Sequence, residues 1–170
     1  MDDVMDIGES FVGEGAEAAH LNTMLGTRSG PVGTAWATAL ATPTSGHAPF
    51  MCVLAPGVPV LPPTLFANKA EIAHERHGRL TWGAAQAGVA LGVQRFIEGH
   101  DEVVLRDGTA HPLDALVLIC AVWVDPHAAD EELVHTNNAV ATQLALELGS
   151  GRRPWPTTEG VDATNPFFRS

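Results

Sequence analysis

Three side chains from separate segments could act on a carbonyl group or an amine: His20, Lys69 and Gln86. Lys69 is the single lysine beside eight arginines. An amine can lose its proton and react with or orient a carbonyl group, whereas a guanidinium stays charged. A histidine on a short strand can donate a proton near neutral pH, and a glutamine among small apolar residues can meet a ligand closely. The residue patterns do not show that the three converge, so a surface lysine, a packed histidine and a helix-surface glutamine stay open as alternatives.

Two further patterns suggest chemistry that we do not favour. His74 and His77 could bind a metal from one helical turn, but no third ligand follows at a recognisable spacing. The glycines of segment 13–18 fit the GxGxxG/A pattern formally. There, two carboxylates would face a pyrophosphate, and the residues that follow favour a strand over a helix. We therefore expect neither a metal site nor a dinucleotide site.

Composition excludes several partner classes. The net charge of −11 and the scattered arginines argue against nucleic acid, whose binding proteins carry basic patches. Cys52 and Cys120 lie far apart in apolar runs, which predicts buried thiols in a reducing compartment. No basic region followed by an apolar one opens the chain, and no stretch approaches the ~18 apolar residues of a membrane span. We expect a cytoplasmic protein with no membrane segment.

The pattern of apolar residues predicts the elements that must position the candidates. Strands or extended segments are expected at 7–12, 18–25, 49–55, 64–72 and 115–124. Helices are expected at 30–40, at 81–98 and from the N-cap pair Asp125-Pro126 to about 148. The predicted fold is α/β, an α+β two-layer sandwich of one sheet with helices packed on it. One domain would span residues 1–170.

The remaining segments are predicted to be irregular. Four prolines exclude a central strand or a helix interior from 56–63, and 99–112 is a polar connection. The irregular C-terminal tail, 152–170, carries aromatic residues that are costly to leave in water. These are Trp155, Phe167 and Phe168. We expect this tail to dock on its own domain or on a neighbouring subunit.

Five segments, in order, together resemble the formaldehyde-activating enzymes. They are Phe11 to His20, Ala55-Pro56 with the prolines that follow, Thr64-Leu65 with Asn68-Lys69, Gly83 to Ala90, and Thr164 to Phe167. The resemblance runs from about Ile7 to Phe168, with few length differences outside 99–113. Several separated motifs in the right order are more specific than any one of them.

The resemblance implies a fold, an activity and an assembly. The family condenses formaldehyde with tetrahydromethanopterin to the methylene derivative and water, as a carbon–oxygen lyase (hydro-lyase). This reaction serves one-carbon metabolism, methylotrophy and formaldehyde detoxification, and the pterin is a co-substrate rather than a covalently bound cofactor. The implied fold is that of ribosomal protein S5 domain 2, in a homopentamer with the pterin between subunits. By the same resemblance, His20 is the proton donor, Lys69 and Gln86 contact the pterin, and Met51 adds an apolar contact.

Two pocket positions depart from the family pattern. Asn22 stands where the family has an aspartate, and Glu71 stands where it has a threonine. Asn22 cannot hold an imidazolium by charge, whereas Glu71 could pair with Lys69 if that segment is extended. These departures keep three alternatives open: the same chemistry on another aldehyde or pterin, a non-catalytic protein that binds or senses a pterin or formaldehyde, and a structural assembly domain.

Overall fold

A computed structural model describes residues 4–160 of the chain. Its strands, in chain order, are β1 (Met5–Val12), β2 (Ala19–Thr27), β3 (Phe50–Met51), β4 (Val53–Ala55), β5 (Val58–Pro59), β6 (Thr64–Asn68), β7 (Glu102–Val104), β8 (Ala110–Pro112) and β9 (Leu116–Trp123). Its α-helices are α1 (Pro31–Ala41), α2 (Glu75–Arg79), α3 (Gln86–Ile97) and α4 (Glu131–Gly149). A π-helical turn, Leu80–Ala85, joins α2 to α3. The mixture of helices and strands confirms the predicted α/β class.

A five-stranded sheet in the order β1-β2-β9-β6-β3 positions the candidate residues. The central strand β9 pairs antiparallel with β2 and parallel with β6. Its residues are almost all buried, as expected for an apolar, β-branched run with a neighbour on both sides. Along β2, buried residues alternate with half-buried ones, so the two faces of the sheet meet different surroundings.

The helices α3 and α4 cover one face of the sheet and form the main core with it. Leu21 from β2 and Val122 from β9 are fully buried in this core, together with Val89 from α3. The backbones of α3 and α4 approach so closely that a Cβ at Gly88 would collide with the carbonyl oxygen of His135. Only glycine fits at such a contact, which fixes how the helical layer lies on the sheet.

The opposite face is covered only in part. Helix α1 begins with Pro31 at its first position, where the missing N–H costs nothing, and buries Val32 against Leu65, Val117 and Ile119. His20 and Asn22 lie on this face farther along β2, where both residues are only half-buried. The sheet therefore presents a polar surface beside the area on which α1 packs.

Two predicted segments differ in the structure. The run 49–55 was expected to be one buried strand, but it divides at the buried Cys52 into β3, at the edge of the main sheet, and β4, which pairs with β5. The main-chain groups of Cys52 bond Thr64 and Val60, which turns the chain between the two strands. The connection 99–112 contains the β7–β8 hairpin.

The helix starts also differ from their predictions. Helix α4 begins at Glu131 with Asp130 as its N-cap, and not at Asp125-Pro126. The Asp130 Oδ1 atom accepts hydrogen bonds from two main-chain N–H groups of the first turn at 3.0 Å, whereas Asp125 caps a turn by accepting from the His127 N–H. The predicted helix 81–98 is the later part of a helical run that starts at Glu75.

The aromatic side chains of the tail were predicted to dock. Trp155 is 41% exposed, so residues 4–160 cover part of its ring. Phe167 and Phe168 lie outside the described residues. None of the helices within residues 4–160 is both long and apolar enough to cross a membrane.

Candidate functional site

The hairpin of β1 and β2 brings His20 next to a carboxylate. In its register, Glu9 lies opposite Asn22, and Phe11 lies opposite His20. The Glu9 Oε1 atom lies 3.0 Å from the Nε2 atom of His20. The side chain of His20 is 26% exposed and that of Glu9 is 47% exposed. The candidate proton donor therefore has a carboxylate partner at a position open to a ligand.

Two aromatic side chains flank His20 on the same face of the sheet. The ring of Phe11 lies 6.1 Å from the imidazole, centroid to centroid, and is tilted by 50° to it. Trp123 of β9 is the cross-strand neighbour of His20 on the other side. Large apolar rings on both sides restrict the imidazole and keep part of the solvent away from it.

Lys69 reaches the same face from the end of β6. Its main-chain N–H donates to the Val122 carbonyl at 2.7 Å, which anchors the segment to β9. Its amine donates a hydrogen bond to Asn22 Oδ1. Although the residue as a whole is exposed, partial burial of the amine lowers the pKa of Lys69, and the charge of Glu9 opposes that shift. We call Glu9, His20, Asn22 and Lys69 the polar cluster.

Glu71 does not join the polar cluster. Its side chain packs against Gly46, which has a positive φ of 73° and no Cβ that would collide there. No ion pair joins Glu71 and Lys69 in the part of the chain that the structure describes, where the amine binds Asn22 instead. The hypothesis that Glu71 pairs with Lys69 is therefore wrong for this conformation.

Met51 and Gln86 lie away from the polar cluster. Met51, on edge strand β3, lines a cavity of about 330 Å³ beside α1, together with Trp36 and Val117. Gln86 is buried at the start of α3, in the layer on the other face of the sheet. Its Oε1 atom accepts a hydrogen bond from the Val53 N–H at 2.6 Å. Within one chain, the structure unites three of the predicted site residues and separates these two from them.

The His74-His77 pair stabilises the local fold. His74 is the N-cap of α2, and its Nδ1 atom accepts from the His77 N–H at 3.2 Å. The ring of His77 is fully buried and bonds the Val124 carbonyl and the Ala73 N–H. Among residues 4–160, no three or more His, Cys, Asp or Glu side chains are grouped to hold a metal ion.

The two cysteines are free and buried, as predicted. Burial raises the pKa of the Cys52 thiol to about 12, and burial also raises the pKa of Cys120 well above its ordinary value. Both thiols stay protonated at neutral pH. Neither is therefore a candidate nucleophile.

A large cleft lies apart from the polar cluster. It has a volume of about 1020 Å³ between α2, the π-helical turn and the start of α4, and Trp82 forms part of its apolar wall. None of the predicted site residues lines this cleft. The cleft is also lined by titratable side chains, including His74, Glu75 and His135. We assign the chemistry to the polar cluster, because there a histidine contacts a carboxylate beside the single lysine.

The sequence interpretation missed Glu9. Alternation along β1 places Glu9 and Phe11 on one face, and β2 places His20 and Asn22 on one face. Pairing the two strands across the intervening turn would have brought Glu9 beside His20. The available signal was the register of the hairpin and not the identity of any single residue.

Comparisons with known proteins agree on one family. The sequence profile of the formaldehyde-activating enzyme (Fae) matches residues 7–161. The bifunctional enzyme Fae/Hps of Methanosphaera stadtmanae is 33% identical over 154 residues, which cover 91% of this chain and 36% of that protein. The 5,6,7,8-tetrahydromethanopterin hydro-lyase of Methanosarcina barkeri is 34% identical over 148 residues, 87% of this chain and 80% of that protein. The chain thus spans little more than a third of the bifunctional relatives that it matches.

Proposed function

Because the chain belongs to the formaldehyde-activating enzyme family, we propose that it condenses formaldehyde with tetrahydromethanopterin to methylene-tetrahydromethanopterin and water. One observation carries the proposal: a histidine with a carboxylate partner stands beside the single lysine on an open face of the sheet. A general acid at neutral pH is what the water-forming step of this condensation needs.

The polar cluster supplies that acid. One pterin amine attacks the formaldehyde carbon and gives a carbinolamine. The imidazolium of His20 then donates its proton to the hydroxyl group, the C–O bond breaks, water leaves, and the nitrogen lone pair forms a C=N⁺ bond. The second amine attacks this carbon and loses a proton, which returns to the neutral imidazole. Two N–H bonds and the C=O bond are exchanged for a methylene bridge and water, and His20 ends in its starting form.

Holding the reactants together supplies the rest of the acceleration. Condensation of an aldehyde with an amine is intrinsically easy, so proximity and orientation can account for much of the rate. In this proposal Lys69 positions the pterin near His20 and Asn22 lines the pocket, whereas Glu71 lies outside the polar cluster beside Gly46. Met51 and Gln86 lie elsewhere on the chain, which supports a pterin site completed by a second copy in a homo-oligomer, by resemblance a pentamer. The free thiols of Cys52 and Cys120 support a cytoplasmic location.

The initial rate of methylene-tetrahydromethanopterin formation tests the proposal, at dilute reactants where the spontaneous reaction is slow. We expect the wild type to accelerate the reaction and His20→Ala to lower kcat by about 10²- to 10⁴-fold. The matched control is His127→Ala, because His127 also has a carboxylate partner, Asp125 at 2.9 Å, but its side chain is 90% exposed. Equal rates for His20→Ala and wild type would reject His20 as the acid.

A non-catalytic pterin-binding or formaldehyde-sensing protein is the second candidate. Asn22 favours it, because the amide that binds Lys69 carries no charge to hold an imidazolium. Both candidates predict pterin binding by calorimetry, and only the first predicts a rate above background. A protein that binds the pterin without accelerating the condensation would establish the second candidate.

A further inference from the structure

The polar cluster contains a carboxylate with no assigned role. Glu9 contributes the negative charge of this cluster, and its Oε1 atom lies 3.0 Å from His20 Nε2. We propose that Glu9 is a positioning residue of the condensation: its carboxylate orients the His20 imidazole and is the shared counter-ion of His20 and Lys69. This inference rests on the proposed function, and it names the Glu9 carboxylate as the group that orients the acid, His20.

The register of the hairpin supports a shared counter-ion. Glu9 lies directly opposite Asn22. His20 is two residues before Asn22 on β2, so the two side chains share one face of the strand. Directly paired residues have Cβ atoms about 5 Å apart, and diagonal neighbours stay within reach of long side chains. Because Lys69 binds Asn22, the carboxylate of Glu9 stands close to both basic groups. A glutamate on β1 thus supplies the charge that Asn22, on β2, lacks.

Among the described residues, Glu9 supplies the charge that acts on the Lys69 amine. Strand β1 contributes the carboxylate of Glu9, and β2 contributes the neutral amide of Asn22 opposite it. Strand β9 presents the neutral Trp123 beside His20, and the segment after β6 brings Lys69. The carboxylate that contacts the half-buried imidazole is therefore that of Glu9.

Lys69 provides independent support. Burial lowers the pKa of Lys69, and the charge of Glu9 raises it in opposition. Glu9 thus interacts with the amine as well as with the imidazole. In the proposed reaction Glu9 exchanges no proton with the substrate. Glu9 orients the His20 ring while the ring donates its proton. It orients the same ring again when the ring takes the proton of the second pterin amine.

Steady-state kinetics of three Glu9 variants test the proposal. Glu9→Gln keeps a hydrogen-bond acceptor of the same length and removes only the charge, whereas Glu9→Asp keeps the charge on a shorter side chain. We expect Glu9→Gln to lower kcat about tenfold or more, with the KM for the pterin changed less than threefold, and Glu9→Asp to retain more kcat than Glu9→Gln. The matched control Glu14→Gln removes an exposed carboxylate from the turn of the same hairpin and should keep the wild-type rate.

The third variant moves the charge across the hairpin. Asn22→Asp in the Glu9→Gln background places a carboxylate on β2, on the same face as His20. We expect kcat to recover at least threefold over Glu9→Gln alone. A loss of packing would not be repaired by a charge at another position. A kcat of Glu9→Gln within twofold of the wild type, or no recovery in the double variant, would overturn the proposal.

A titration separates this proposal from the proposed function. Because Lys69 is the single lysine, ¹³C reductive methylation marks one side chain besides the terminal amine. We expect Glu9→Gln to shift the NMR titration of the methylated Lys69 to lower pH, and Glu14→Gln to leave it unchanged. A wild type without condensation activity would reject the function, whereas an unshifted titration in Glu9→Gln would overturn the role of Glu9 as shared counter-ion.

Discussion

Two histidines of this chain stand in opposite surroundings. His20 lies half-buried on a strand, with Glu9 beside Nε2 and a face open to a ligand. His77 is fully buried, and both of its ring nitrogens bond main-chain groups, the Val124 carbonyl at 3.0 Å and the Ala73 N–H at 3.1 Å. One histidine contacts a carboxylate side chain. The other has partners that fix a single neutral tautomer.

This difference shows what determines whether a histidine has a structural or a chemical role. Accepting from the Ala73 N–H requires a bare Nδ1, so a second proton on His77 would break that hydrogen bond inside the core. At His20 the partner of Nε2 is a carboxylate oxygen, so no main-chain N–H occupies that nitrogen. A carboxylate partner at a half-buried position distinguishes His20 from the fully buried His77 and from the exposed His127.

Replacing the buried histidine should test the comparison most strongly. We expect His77→Ala to lower the free energy of unfolding by about 2–4 kcal/mol, because it leaves a cavity and two buried main-chain groups without partners. Urea denaturation measures this loss. His20→Ala is the matched variant, and it should cost less than about 1 kcal/mol at its half-exposed site. Equal losses in the two variants would contradict the division into a structural and a chemical histidine.

A smaller effect is expected at the cap of α2. His74→Ala should lower the free energy of unfolding by about 1 kcal/mol, because the His77 N–H loses its cap and the Pro126 carbonyl loses the Nε2 atom 2.9 Å away. Asp130→Ala, at the N-cap of α4, provides a standard of similar size. Thermal or urea unfolding of both variants checks the prediction. A change in kcat without a change in stability would place His74 in the chemistry instead.

Sequence patterns predicted elements better than partners. The strand β9 was evident from an apolar run that only a central position can bury, and the helix predicted at 30–40 is observed as α1. The start of α4 was not, because Asp125 and Asp130 are both good caps and tertiary contacts decide between them. The partner of His20 depends on the register of β1 and β2, and the bond of Gln86 to Val53 joins residues far apart in the chain. Such contacts exist only after the chain has closed.

The smallest predicted effect concerns Lys69 and pH. Burial lowers the pKa of Lys69 in the folded state below the ordinary value of 10.5. Between the folded-state pKa and 10.5, the unfolded chain therefore binds more protons than the folded chain. Lys69 therefore destabilises the fold below its folded-state pKa, and this penalty disappears as the pH rises toward about 10.5. Lys69→Met removes the titration, and other groups cancel in the difference between the variant and the wild type.

Urea midpoints of both proteins between pH 7 and about 10.5 measure the effect. We expect the stability of the wild type relative to Lys69→Met to increase with pH. Glu9→Gln should steepen that increase, because the carboxylate opposes the effect of burial on the amine. A difference that stays constant across this range would show that Lys69 keeps its ordinary pKa in the fold. In that case His20 would be the one residue of the polar cluster that still distinguishes it from the surroundings of His77.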